Sequence, residues 1–357
     1  MHIPDGYLSP STCAVLYAGA GVGWYGALRR LKRAFMTRLI PLISVFAAFS
    51  FVVMMFNLPL PGGTTGHAIG VTIAAIVLGP SGAILAISIA VTIQALFFGD
   101  GGITTLGANC FNMAIVGSLL AYATYRLVAT GARIASRRRV VAAAVAGYLA
   151  ANAAAFVAAI EFGIQPILFH NSNGVPLYAP YPLSIAIPAM MIGHLAVAGI
   201  AEAVIAAGLV AYLQVADPSL LRGTTGLPEN GSLRLQPSPQ KSLRKLWITV
   251  AHLMLLTPLG ILAGGTAWGE WSTNRVNAAG YTEIAPGQTL PQPSAVPAGL
   301  QRLSSLWTAP IPNYAPQFVK SPSFGYLLSA MFGVGLLIVS SLLLQRLFES
   351  RRAAGEP

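Results

Sequence analysis

Long apolar runs, separated by short polar or glycine- and proline-rich stretches, occupy most of this 357-residue chain. A helix needs about 20 mostly apolar residues to cross a bilayer. By that measure the pattern predicts spanning helices over residues 9–28, 39–57, 81–98, 109–127, 140–161, 183–213, 246–262 and 323–344. A shorter run, 67–78, is set off from its successor by Gly79-Pro80-Ser81-Gly82. Its length fits a helix that begins partway into the bilayer, with the irregular backbone before it packed inside protein. The expectation is an all-α integral membrane protein with about nine transmembrane segments.

Composition supports this reading. Apolar residues make up 55% of the chain and charged residues 9%, whereas a soluble domain is about one quarter charged. A soluble enzyme, a nucleic-acid binder and a disordered chain are thereby excluded, despite a formal charge of +11. The basic residues fall into clusters between the apolar runs. Arg29, Arg30, Lys32, Arg33 and Arg38 form the first, and Arg126, Arg133, Arg137, Arg138 and Arg139 the second. Arg222, Arg234, Lys241, Arg244 and Lys245 form the third, and Arg346, Arg351 and Arg352 the fourth. With nine segments all four fall on one side, which the positive-inside rule makes cytoplasmic. The N-terminus and a loop over 265–322 are then outside, and the C-terminus inside. No basic n-region precedes the first apolar run, so a cleaved signal peptide is not expected and Met1 and His2 stay in the mature chain.

Residues 216–245, rich in Pro, Gly, Ser and charge, read as a cytoplasmic linker between a seven-helix unit (1–215) and a two-helix unit (246–357). The loop of the second unit carries Trp268, Trp271 and Trp307. Gly19 with Gly23, and Ala143, Gly147, Ala151 and Ala155, recur at four-residue spacing and allow close helix approach, within the bundle or against another subunit. Cys13 and Cys110 lie apart in apolar surroundings and read as buried hydrophobes. None of the four lysines follows a glycine, so no phosphate-binding loop exists, and no HExxH is present. Any ATP hydrolysis belongs to another polypeptide.

The chemistry concentrates at the start, Met1-His2-Ile3-Pro4-Asp5-Gly6-Tyr7-Leu8-Ser9. A free amine followed directly by histidine offers three nitrogens to one ion: the Met1 amine, the His2 backbone nitrogen and its imidazole Nδ1. Such a planar all-nitrogen set suits Ni(II), Cu(II) or low-spin Co(II), and not Mg or Ca; the alternative is a terminus that frays in solvent. His67 closes a glycine-rich loop, Pro61-Gly-Gly-Thr-Thr-Gly-His67, on the same side. It offers a fourth nitrogen, or else a water-bonded interfacial imidazole. Glu161, His194 and Glu202 lie at or within spans, where ionisable groups are costly and often functional. His194 and Glu202, two turns apart, fit a structural or gating hydrogen bond. Gln94, Asn109 and Asn112 flank the loop that starts at Gly99 and either buttress a site or tie helices together. His170 and His252 carry weaker signals.

Three segments together, Met1 to Ser9, Pro61 to His67 and Gly99-Asp-Gly-Gly-Ile-Thr-Thr-Leu-Gly-Ala-Asn109, resemble the CbiM/NikM family, the metal-binding S components of energy-coupling-factor importers. The resemblance covers about residues 1–215 and implies metal ligation by Met1, His2 and His67, with Ni2+ or Co2+ as the transported substrate. It implies a membrane T component and ATP-binding A subunits as partners, no catalysis and no organic cofactor. The two-helix unit is similar to the N component (CbiN/NikN), which tilts the substrate toward nickel. The implied location is the prokaryotic cytoplasmic membrane. Rival readings are a proton-coupled permease using Glu161, His194 and Glu202, and, lowest, a membrane metalloenzyme.

Overall fold

The computed structural model describes residues 1–31, 33–60, 64–224, 240–262, 281–285, 288–291 and 296–353. Half of linker 216–245 and much of loop 265–322, including Trp268 and Trp271, lie outside the described residues. Helix α1 is Pro10–Arg30 and α2 is Arg33–Met54. Helix α3, Val71–Ile93, continues through a π-helical turn, Gln94–Phe98. Helix α4, Leu106–Asn109, runs through a second π turn, Cys110–Val116, into α5, Gly117–Ala129. Helix α6 is Arg137–Gly163 and α7 the short Gln165–Leu168. Helix α8, Leu183–Gly193, passes through a third π turn, His194–Ala198, into α9, Gly199–Ala216. Then come α10 (Gln240–Leu256), α11 (Ala298–Leu303) and α12 (Pro322–Ala353).

Among the described residues, six helical stretches are long and apolar enough to cross a membrane: Val71–Phe98, Leu106–Ala129, Arg137–Leu168, Leu183–Ala216, Arg244–Leu262 and Pro322–Leu343. Helix α1 and the apolar stretch Leu39–Met54 fall short of that standard. Large apolar side chains cover the perimeter: Val15, Val22, Leu127, Val204 and Val215 are all at least 65% exposed. In water such a belt would drive aggregation, whereas lipid tails solvate it without cost. The protein is a multi-pass membrane protein.

The expected break inside 67–98 is present as a reversal of the chain. A straight helix over Val71–Phe98 would be about 42 Å long. Yet His67 at one end and Asp100 at the other both lie within 3.2 Å of the same His2 nitrogen. The chain therefore folds back, and Gly79, at φ 73° and ψ 170°, is where it does so. No side chain tolerates that backbone cheaply, and Pro80 cannot continue the hydrogen-bond ladder of the first arm. The first arm, Val71 to Leu78, is only about two turns long.

The loop before His67, read from sequence as irregular, carries a short antiparallel hairpin. Strands β1 (Leu58–Leu60) and β2 (Thr64–Gly66) pair Leu58 with Gly66, and Pro61 to Gly63 lie outside the described residues. A second hairpin joins β3 (Tyr281–Ala285) and β4 (Gln288–Pro291) in the stretch between α10 and α11.

The small residues close the bundle from within. A Cβ on Gly147 would sit 3.0 Å from the Glu202 carbonyl oxygen, so α6 and α9 approach backbone to backbone. A Cβ on Gly23 would overlap Ile115. The C-terminal helices pack on α2: Gly333 rests on the Phe51 ring, and the Tyr326 hydroxyl donates to the Met55 carbonyl at 2.8 Å.

Candidate metal centre

The first nine residues are drawn into the protein. Met1 is 2% exposed, His2 5% and Ile3 fully buried. A terminus with backbone groups in this setting needs partners, and the Gly99–Asn109 loop supplies them. The Ile3 N–H donates to Asn109 Oδ1 at 2.8 Å, and the Ile3 carbonyl accepts from Asn109 Nδ2 at 3.0 Å and from the Gly102 N–H at 2.9 Å. The Asp5 carboxylate accepts from the Ile103 N–H at 3.0 Å, the Thr104 N–H at 2.7 Å and the Thr104 hydroxyl. A Cβ on Gly102 would lie 2.4 Å from the Asp5 nitrogen, so only glycine permits this approach. Further along, the Ser9 N–H donates to Gln165 Oε1 at 3.0 Å, and Ser9 Oγ caps α1 by accepting from the Thr12 N–H. Asn109 thus buttresses the terminal segment itself, the role that competed with interhelical glue in the sequence.

His2 and His67 meet at the inner end of this segment. His67 Nδ1 donates to the Ala68 carbonyl at 3.0 Å, which fixes its tautomer and leaves the Nε2 lone pair free. That lone pair faces His2 Nδ1 at 3.2 Å, while Asp100 Oδ1 lies 3.1 Å from the same His2 nitrogen. One N–H on His2 Nδ1 is therefore shared between the His67 nitrogen and the Asp100 carboxylate. His67 is 4% exposed. Burial, with the Met1 ammonium and His2 beside it, pushes its imidazole well below the usual histidine range, so it stays neutral.

Asp100 sits at the rim, with 26% of its side chain exposed. Burial alone would raise its carboxyl; His2, His67 and the Tyr314 hydroxyl outweigh that and hold it below the usual carboxylate range. Tyr314 Oη donates to Asp100 Oδ2 at 2.6 Å and accepts from Gln94 Nε2 at 3.0 Å.

Glu202 proves to be a clamp on the His67 loop. Its fully buried carboxylate accepts from the N–H groups of Ile69 and Gly70 at 2.8 Å each, and of Thr72 at 3.2 Å. These are the orphan donors at the start of α3, where a negative charge is also favoured by the helix dipole. Glu202→Ala leaves them unpaired in an apolar interior, at about 1–3 kcal/mol for each unsatisfied group. We expect this variant to insert normally, to melt well below the wild type in detergent and to lose metal retention; an unchanged melting curve would contradict the clamp.

His194, expected to share one face with Glu202, is 1% exposed and donates from Nδ1 to the Met190 carbonyl at 2.9 Å. Its Nε2 has no hydrogen-bond partner, and the Met1 ammonium lies within electrostatic range. Asn112 Nδ2 donates to Glu161 Oε2 at 2.8 Å, tying the second π turn to α6. His170 and His252 are exposed, each bonded to a nearby carbonyl. Cys13 and Cys110 are buried free thiols.

Among the described residues no group of three His, Cys, Asp or Glu side chains is arranged to hold a metal. Two imidazoles lie against each other beside the buried chain terminus, and the Asp100 carboxylate flanks His2. Nitrogens bound cis on one metal at about 2.0 Å lie about 2.8 Å apart. The 3.2 Å between His2 Nδ1 and His67 Nε2 is close to that separation.

The CbiM family, described as the cobalt uptake substrate-specific transmembrane region, matches residues 2–220. The fused nickel transport protein NikMN of Rhodobacter capsulatus is 52% identical over 341 residues, 95% of each chain. The probable fused nickel transport protein LarMN of Lactiplantibacillus plantarum is 42% identical over 275 residues, 76% of this chain and 78% of that one. A crystal structure of a truncated transition metal transporter superposes with a TM-score of 0.55 at 50% identity, over 60% of this chain and 98% of the other. The likeness to NikMN extends well past residue 220, so the C-terminal helices are shared as well. The family match over residues 2–220, with 52% identity to NikMN over 95% of the chain, places the chain in the CbiM family of metal-transport proteins.

Proposed function

We propose that the chain is the substrate-capture subunit of an ATP-driven importer of nickel, with cobalt the alternative ion, and that it binds the ion through Met1, His2 and His67. The observation that carries this is the pairing of His2 Nδ1 with His67 Nε2 beside a buried Met1. The amine, the His2 backbone nitrogen and His2 Nδ1 close two fused rings on the ion, and His67 Nε2 takes the fourth position. In the empty protein a proton on His2 Nδ1 occupies the line between the two imidazoles, and the metal replaces it. The two fused relatives at 52% and 42% identity are named for nickel, and an all-nitrogen planar set favours a d8 ion.

The site opens outward and the basic clusters lie inside. Helix α1 begins beside the site and reaches Arg29 and Arg30 about 30 Å away. Helices α4 and α5 likewise run from Asn109 at the site to Arg126. Sidedness with the N-terminus outside follows from the positive-inside rule, and counting the short first arm of α3 as a crossing brings the segments to about nine. A seven-helix unit over 1–215, a linker over 216–245 and a two-helix unit over 246–357 make up the chain. A membrane T component and cytoplasmic ATP-binding A subunits supply the energy, since the sequence has no phosphate loop. Glu202 is occupied as a clamp on backbone N–H groups, which gives a proton-coupled permease little to work with.

Two measurements test this. The tag-free protein, purified after growth with both ions, should carry about one metal per chain, with nickel in excess. In proteoliposomes the chain alone should not accumulate nickel under a pH gradient, and should do so with its energising subunits and ATP. Uptake by the isolated chain driven by protons would overturn the importer reading.

A further inference from the structure

We propose that Asp100 is the counter-ion of the bound metal, and that Tyr314, from the C-terminal two-helix part of the chain, is the positioning residue that aims it. This rests on the metal site proposed above and assigns a task to the C-terminal part. The first argument is charge. In the loaded site the charges of a divalent ion, a deprotonated His2 amide and the Asp100 carboxylate, whose Oδ1 lies 3.1 Å from His2 Nδ1, cancel. Without Asp100 the loaded site carries an unbalanced positive charge among groups that are at most 5% exposed, and such a charge is unfavourable.

The second argument is geometry. Asp100 follows Gly99, which sits at φ 66°, so its own loop holds the carboxylate only through backbone turns. The side-chain hydrogen bond to its outer oxygen comes from Tyr314 at 2.6 Å, and the inner oxygen is thereby left to face His2 at 3.1 Å. Tyr314 is itself heavily constrained. Its ring stacks on Phe98 at 4.7 Å and meets Tyr326 edge-on at 5.4 Å. Its carbonyl accepts from Ser329 Oγ at 2.9 Å, and its hydroxyl accepts from Gln94. Nearby, the Ile311 N–H donates to the Phe97 carbonyl at 2.9 Å and Trp307 Nε1 to the Leu96 carbonyl at 3.0 Å. Asn313 and Tyr314 both occupy the left-handed region, at φ 54° and 57°. Non-glycine residues rarely adopt it, and where they do the strain often serves a function. The ring and backbone contacts hold Tyr314 in place, and its hydroxyl bridges Gln94 and Asp100.

The test uses the full chain in detergent, with Ni2+ as the probe and a chromophoric chelator as competitor. Tyr314→Phe keeps the ring contacts and removes only the hydroxyl. Loss of such supporting bonds costs about 10–100-fold in metal affinity; we expect about 10-fold for Tyr314→Phe and about 100-fold for Asp100→Asn. In the Asp100→Asn background, Tyr314→Phe should add nothing, because it acts through the missing charge. At saturating nickel the ligand-field absorption of Tyr314→Phe should match the wild type, since the four nitrogens are untouched. Wild-type affinity in both single variants, with binding abolished in His2→Ala, would overturn this inference and leave the metal site standing. Equal losses from Tyr314→Phe with and without Asp100 would also overturn it, showing a structural role only. Normal nickel binding by His2→Ala would instead remove the metal site itself.

Discussion

A single residue placed before Met1 should abolish nickel and cobalt loading while leaving the protein folded and inserted. The chelate needs the Met1 nitrogen to be a primary amine joined directly to His2. An added residue turns that nitrogen into an amide, moves the free amine away from the His2 imidazole and breaks the fused rings. Sterics act in the same direction, because Met1 is 2% exposed and Ile3 is held at both backbone groups by Asn109. Nothing else changes: the clamp of Asp5 on Ile103 and Thr104 begins four residues further on and anchors the segment independently. Chemical acetylation of the amine removes the same lone pair without lengthening the chain, so it should give the same loss. The comparison is with a C-terminally tagged control, measuring bound metal per chain alongside the melting temperature. Full loading of the extended protein would show that the ion is held elsewhere.

How far the sequence reached depended on whether a residue's partner was local. His2 was legible because a chelate of adjacent nitrogens is a property of two consecutive residues. His67 was legible as the end of a glycine-rich loop, and its meeting with His2 was expected only from both falling on one side. The reversal at Gly79 was legible too, since Gly-Pro interrupts any helical run. By contrast, Asp100 stands inside the Gly99–Asn109 loop with no sign of its task, because the residue that aims it, Tyr314, lies 214 positions away. Glu202 was marked as an intramembrane carboxylate and paired with His194 on one helical face. Its partners are instead three backbone N–H groups more than 100 residues earlier, and backbone donors leave no signature in a sequence.

The π turns were equally hidden. Gln94–Phe98, Cys110–Val116 and His194–Ala198 each insert a residue into a helix whose apolar pattern reads as continuous. Such bulges are frequent at functional sites, where they re-aim a side chain. Here they contain Gln94, Asn112 and His194, three buried polar residues. Apolar periodicity reports which face is buried and not where the helix register slips. The same limit explains the β1–β2 hairpin, since Leu58-Pro-Leu-Pro-Gly-Gly carries too much proline for a strand signal.

His2→Ala should abolish high-affinity metal binding, and His67→Ala should weaken it strongly while leaving a residue of binding. The asymmetry follows from the chelate. His2→Ala removes an imidazole and opens the larger of the two fused rings, whereas His67→Ala removes one separate donor and leaves amine, amide and imidazole joined. The two imidazoles do not compete equally with protons, since burial already keeps His67 neutral. The protons released to solvent are those of the amine and the His2 amide, because the His2 Nδ1 proton passes to Nε2 when the metal takes Nδ1. Below the range in which model-peptide amines titrate, about 7.7–8.0, binding releases about two protons, so the apparent binding constant should fall about 100-fold per unit of falling pH. Above that range the amine is already free, one proton is released, and the slope should halve. Competition titrations between pH 6 and 9 on the wild type and both variants measure the constants and the slope together. A binding constant independent of pH, with both alanine variants at wild-type affinity, would assign the ion to carboxylate or carbonyl oxygens rather than to these nitrogens.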